Sequence, residues 1–129
     1  MPVKYVPIEL VKLIHSNQIR LYGGRPGIRD RGLLESALAQ PKMSAGGRPI
    51  YKAIFDKAAA YGFHLCKNHP FVDGNKRVVF VVMYIFTYTN GFIIESTEEE
   101  AYTMMMRLAD GKLSKQDLSK WLKEHSMKL

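Results

Sequence analysis

The chain has 129 residues, 47% hydrophobic and 24% charged, values that let one domain spanning residues 1–129 bury a real core. Nineteen Lys and Arg against twelve Asp and Glu leave a net charge of +7, which favours phosphate-bearing or acidic partners but fixes no fold. Cys66 is the one cysteine, so an intrachain disulfide is excluded and a reducing, cytoplasmic setting is expected.

The first residues, Met1-Pro2-Val3-Lys4-Tyr5, carry no apolar signal core. The one long apolar run, residues 78–86, is too short for a membrane span, so no membrane partner is expected. Apolar residues at Ile8, Leu10, Val11, Leu13 and Ile14 predict a helix over residues 7–17, started by Pro7. Tyr22-Gly23-Gly24-Arg25-Pro26-Gly27 breaks any regular element. Asp30 can cap a helix that runs to Gln40 with Leu33, Leu34, Ala37 and Leu38 inward, and Pro41 stops it. Residues 41–49, with Gly46-Gly47, read as a loop and a candidate flap over a site.

Residues 50–68 predict a third helix, with Ile54, Ala58, Tyr61 and Leu65 near helical spacing. The run from Val78 is too continuous for a strand. Asp73 before it and Asn90-Gly91 after it match an N-cap and a left-handed C-cap, so it predicts a fully buried central helix. Thr97-x-x-Glu100 and Ser114-x-x-Asp117 open two further helices, ending near Gly111 and His125. Met104, Met105 and Met106 read as core filling, and Cys66 as packing rather than a nucleophile. The fold class is all-α, a compact bundle of about six helices around a buried central helix.

His69-Pro70-Phe71-Val72-Asp73-Gly74-Asn75-Lys76-Arg77 concentrates the reactive side chains. Pro70 disfavours helical backbone at His69, so one helix ends there and the next points its unpaired N–H groups at the loop. Gly74 lets an anion approach the backbone, and Asn75 adds a neutral donor. Asp73 is suited to Mg²⁺ beside phosphates, and Arg77, four residues on, can fork onto phosphate oxygens. Imidazole changes protonation near neutrality, which suits His69 to take a proton from an incoming hydroxyl. Phe71 is the apolar anchor of the loop. Together these groups describe phosphoryl or nucleotidyl transfer. His15 and His125 read as helix-face or terminal residues, and His64 as packed before the loop; no spacing among them suits zinc.

The string HPFVDGNKR resembles the Fic signature H-P-F-x-[D/E]-G-N-x-R. Tyr22-Gly23-Gly24-x-Pro26-Gly27-x-x-Asp30-x-Gly32, followed by Leu33-Leu34-Glu35-Ser36-Ala37-Leu38, resembles the Doc (death-on-curing) toxin branch of the Fic/Doc family, from about residue 7 to residue 125. The resemblance implies His69 as general base, Asp73 as Mg²⁺ ligand, and Gly74, Asn75, Lys76 and Arg77 as the phosphate-binding set, with ATP as substrate. Fic enzymes usually move AMP onto a protein hydroxyl. Lys76 stands where many of them carry Gly, and Doc-like members with Asn-Lys-Arg transfer the γ-phosphate instead. The expected target is then a threonine of elongation factor Tu, which stops translation, and the expected inhibitor is a separate antitoxin protein. Ser96-x-x-x-Glu100 approaches the family's inhibitory motif but is followed by Ala101 and reads as a helix cap. A basic nucleic-acid-binding module is the alternative of another class; scattered Lys and Arg and the lack of a stacking strip count against it.

Overall fold

The computed structural model describes residues 2–129. Six α-helices follow in order: α1 (Ile8–Tyr22), α2 (Arg31–Ala39), α3 (Ile54–Asn68), α4 (Asn75–Thr89), α5 (Glu98–Ala109) and α6 (Lys115–Glu124). A 3₁₀ turn (Gln40–Lys42) extends α2, so Pro41 ends the α-helix one residue before Gln40. The capping expectations hold where a side chain can reach back. Asp30 Oδ1 accepts from Leu33 N at 2.9 Å, and Thr97 and Glu100 form a reciprocal capping box. Glu100 is therefore engaged in starting α5. At α6 only half of the device forms, Ser114 Oγ accepting from Asp117 N.

Three further boundaries differ from the sequence reading. Helix α1 continues five residues past Asn17, because nothing interrupts it before Gly23, whose N–H closes on the Ile19 carbonyl. Helix α3 begins at Ile54; residues 50–53 stay outside it, Tyr51 being held by Lys115 and Lys57. Helix α4 begins at Asn75, and its N-cap is Gly74, in the left-handed region at φ 75°. Asp73 is thus not the cap.

The sequence reading assigned no strands, yet two small antiparallel pairs form. β1 (Ser44–Ala45) and β2 (Arg48–Pro49) make an exposed hairpin around Gly46-Gly47, in the segment read as a flap. β3 (Phe92–Ile94) follows Gly91 and pairs with β4 (Ser126–Lys128), tying the end of α6 to the end of α4.

One hydrophobic cluster draws on every helix, with Tyr61, Phe71, Phe86, Leu34, Leu65 and Met83 among its largest buried side chains. Helix α3 is the hub, packing on α2, α4, α5 and α6. Its Gly62 lets α4 come close: a Cβ there would overlap the Met83 sulfur. Helix α4 is central but not fully buried. Val78, Val79, Val82, Met83 and Phe86 face the core, while Phe80, Val81, Tyr84 and Ile85 are half-buried and Tyr88 is exposed. Met104 and Met105 are buried in the core. No helix among the described residues is long and apolar enough to cross a membrane.

Candidate active site

The loop between α3 and α4 carries the motif, and its shape is fixed from both ends. Helix α3 ends on His69, the one non-glycine among the described residues with positive φ, at 49°. Pro70 and Phe71 are buried, and the Phe71 ring stacks on the His15 imidazole with centroids 4.0 Å apart and planes 9° apart. His15, read from sequence as a helix-face residue, is buried in α1. Its Nε2–H donates to the Asp73 carbonyl at 2.8 Å, and since a carbonyl only accepts, the proton is on Nε2.

A second segment, residues 24–30, lies against the loop. Ile28 bridges Phe71, Val72 N donates to the Gly27 carbonyl at 3.0 Å, and Arg29 N donates to the Pro70 carbonyl at 2.7 Å. The Arg29 side chain donates from Nε to the His69 carbonyl and from Nη2 to the Asn68 carbonyl, both at 2.8 Å. It thereby neutralises the carbonyl end of α3 next to His69. Asn68 in turn donates to the Leu33 carbonyl. Neither Arg29 nor Asn68 was singled out from the sequence.

Within this frame the expected site residues fall into two sets. His69 and Lys76 are exposed, whereas the side chains of Asn75, Asp73 and Arg77 are held. Asn75 is buried, and its amide brackets Phe71: Oδ1 accepts from Phe71 N at 3.0 Å and Nδ2 donates to the Phe71 carbonyl at 2.9 Å. The side chain expected to donate to a phosphate thus commits its oxygen and one of its two Nδ2–H donors to the loop; the other and the backbone N–H carry no such bond. Arg77 donates to the Gln18 and Gly23 carbonyls at 3.2 and 2.9 Å, so two of its five N–H groups hold the end of α1. Asp73 Oδ2 accepts from Arg25 N at 3.1 Å and Oδ1 from Gly74 N at 2.8 Å. Those two backbone donors, and after them the charges of Arg77 and Arg25, hold its carboxyl below the usual range.

Gly24 is where these groups converge. A Cβ on it would stand 2.9 Å from Asp73 Oδ2, 3.0 Å from Ile19 Cδ1 and 3.2 Å from an Arg77 nitrogen. The motif residues 69 and 72–77 line a cleft of about 230 Å³. Into it face the first N–H groups of α4, which have no intrahelical partners; the Val78 N–H is the first to close, on the Gly74 carbonyl.

The donor set fits the expected Mg²⁺. Each Asp73 oxygen takes one N–H and keeps a lone pair free, and the carboxylate stays ionised. No cluster of three His, Cys, Asp or Glu stands among the described residues, so an ion here would draw its other ligands from phosphate oxygens and water, the usual manner of Mg²⁺. Cys66, close to the motif in sequence, is half-buried, and burial pushes its thiol up, against a nucleophilic role.

Residues 5–87, more than half of the chain, match the Fic/DOC family. The chain is 41% identical over 70 residues to Toxin Doc of Mycolicibacterium smegmatis, an alignment covering 54% of each chain and so about half of that relative's length. It is 30% identical over 108 residues to Protein kinase doc of Escherichia phage P1, covering 84% of this chain and 83% of that one. With the motif built into a loop and helix start as described, the chain belongs to the Fic/DOC family.

Proposed function

We propose that this chain is a Doc-like toxin that transfers the γ-phosphate of ATP to a Ser or Thr hydroxyl of a protein, with elongation factor Tu as the expected target in the cytoplasm. A separate antitoxin chain would restrain it. The observation that carries the reading is the cleft at the start of α4. One exposed imidazole, one ionised carboxylate and the start of helix α4 line one cleft of about 230 Å³. The relatives' names, a toxin and a protein kinase, support the same reading. Lys76 supports γ-phosphate transfer over AMP transfer, because it lines the cleft at the position where many AMP-transferring members carry Gly.

In this reading the backbone N–H groups of Asn75, Lys76 and Arg77 hold the transferring phosphate, with Arg77 completing the charge balance. Asp73 would hold Mg²⁺, which neutralises phosphate charge when bound. An imidazole nitrogen of His69 takes the proton of the target hydroxyl. As it does so, the hydroxyl oxygen bonds to the γ-phosphorus. The bond from that phosphorus to the β–γ bridging oxygen breaks, and ADP leaves with the electron pair.

The test uses ATP labelled at the γ- or the α-phosphate, Mg²⁺ and purified elongation factor Tu. Label from the γ-position is expected, and label from the α-position alone would establish AMP transfer instead. His69→Asn is the control, because Asn tolerates the left-handed backbone at 49° that Ala would strain. It should lower transfer by about 10²–10⁴-fold; full activity would end the general-base role.

A further inference from the structure

The His69 imidazole is exposed and, among the described residues, unbonded, so the backbone alone aims it. That backbone is unusual. His69 closes α3 in the left-handed region at φ 49°, which residues with a Cβ seldom adopt. Its N–H donates to the Leu65 carbonyl at 3.2 Å, the single bond of a left-handed helix end. The second bond that often locks such an end comes from the next N–H, and Pro70 has none. Lys67, the cation of the last turn, lies over the Phe63 ring instead, 6.0 Å from its centroid.

Arg29 supplies the missing lock from another segment. Its guanidinium forks onto two successive carbonyls, those of Asn68 and His69, each at 2.8 Å. The first carbonyl belongs to the peptide plane before the His69 Cα, the second to the plane after it. One guanidinium therefore holds both planes, and together these set the direction of the His69 Cα–Cβ bond. A planar fork fixes direction as well as distance, where a lysine would offer one point charge. Arg29 is itself seated by backbone: its N–H and that of Asp30 both donate to the Pro70 carbonyl, at 2.7 and 3.1 Å. The same short segment holds Asp73, through Arg25 N at 3.1 Å.

We propose that Arg29 is a positioning residue for His69, acting on transfer through these two peptide planes and not by touching the substrate. The proposal rests on the phosphotransfer reading above and adds to that site a residue from outside the motif. A direct contact to phosphate is the other role open to an exposed arginine. Against it, the Arg29 fork is already committed to carbonyls, and the cleft is lined by residues 69 and 72–77 without Arg29.

The experiment compares Arg29→Ala, Arg29→Lys and Arg31→Ala on the full chain. Arg29 is exposed and its backbone bond to Pro70 survives substitution, so the fold tolerates the change. Arg31 is a neighbouring exposed arginine paired with Glu35 along α2 at 3.2 Å, and its loss matches the change in charge. Three quantities are read: kcat and KM for ATP in γ-label transfer, the stoichiometry and Kd of ATP with Mg²⁺ by calorimetry, and the His69 imidazole C–H resonances, assigned with His69→Asn. Arg29→Ala is expected to lower kcat by about 10- to 100-fold. It should leave KM for ATP and the calorimetric values as they were, and move the His69 resonances towards their random-coil positions. Arg29→Lys should fall between, and Arg31→Ala should match the wild type throughout. Wild-type kcat in Arg29→Ala would overturn the proposal. So would a loss of kcat with the His69 resonances unmoved, or with ATP affinity reduced by the same factor, since Arg29 would then act on another group. In each of these cases a wild-type chain that transfers γ-label keeps the phosphotransfer reading intact. A wild-type chain that transfers no label removes both.

Discussion

Gly24→Ala tests the idea that a distant segment builds the site. The substitution acts through two separable effects. Gly24 has φ 116°, where a side chain is strained by about 1–2 kcal/mol. Its new Cβ also meets Asp73 Oδ2 at 2.9 Å, Ile19 Cδ1 at 3.0 Å and an Arg77 nitrogen at 3.2 Å, so at least one neighbour must move. Gly111→Ala supplies the reference: φ is 73°, nothing lies within 4 Å, and the position, at the end of α5, lines none of the site. Gly111→Ala should lose about 1 kcal/mol in urea unfolding and keep full transfer activity. Gly24→Ala should lose about 2–3 kcal/mol, a fall in Tm of roughly 10 °C for a chain of this size. It should also transfer more than tenfold more slowly at saturating ATP, because Asp73 and Arg77 are the groups displaced. Wild-type turnover in Gly24→Ala would refute the claim that this close packing positions them.

Two further outcomes follow from the same geometry. Asn75→Ala strips the buried Phe71 N–H and carbonyl of their side-chain partner and should cost about 3 kcal/mol of stability, with transfer lost alongside. Asn75→Asp, which sets a second acceptor against the Phe71 carbonyl in a buried site, should cost at least as much in denaturant titrations. Burial, and then the charges of Lys115 and Lys67, push the His64 imidazole down to about 4. Its folded pKa lies below its unfolded one, so the unfolded chain binds the extra proton, and stability falls as pH drops from about 6.5 to about 4. His64→Gln should flatten that part of the stability–pH curve by on the order of 1 kcal/mol, after discounting for the solvent-screened part of the ring; an unchanged slope would show that His64 does not set it.

What was legible in the sequence was local. Residues 69–77 are consecutive, and each side chain there has a chemistry that names its use. The frame around them was not legible, because its contacts join residues 40 to 58 positions apart: Arg29 to His69, Gly24 and Arg25 to Asp73, His15 to the Asp73 carbonyl. No local pattern marks His15 as the support of a loop in another helix. The misplaced cap has a local cause. Asp before an apolar helical run usually is the N-cap, but here Gly74 intervenes at φ 75° and takes that position, turning the Asp73 carboxylate back onto Gly74 N and Arg25 N. The strands β3 and β4 were missed because three residues show no periodicity, and their partners lie 32 to 36 positions apart. The burial of α4 was overstated for the opposite reason. Its run is apolar all round, and composition alone does not separate a face against α3 from a face that lines a groove.

The division of labour within the motif has a consequence for how mutations there are read. Asn75 and Phe71 hold the loop, Arg77 ties it to α1, and Asp73 is oriented by two backbone donors before any ion arrives. Such a loop gives up little freedom when a ligand binds, which under the proposed phosphotransfer would let a small chain hold a phosphate without a large enclosing cavity. It also means that loss of activity at Asn75 or Phe71 reports a collapsed loop rather than a missing chemical group. His69 and Lys76 are the two motif positions whose side chains are exposed and, apart from the long Lys76 contact to Met106, not tied into the frame. Kinetic changes at those two, in variants whose unfolding curves match the wild type, carry the chemical information; changes elsewhere in the motif do so only after their stability cost has been subtracted.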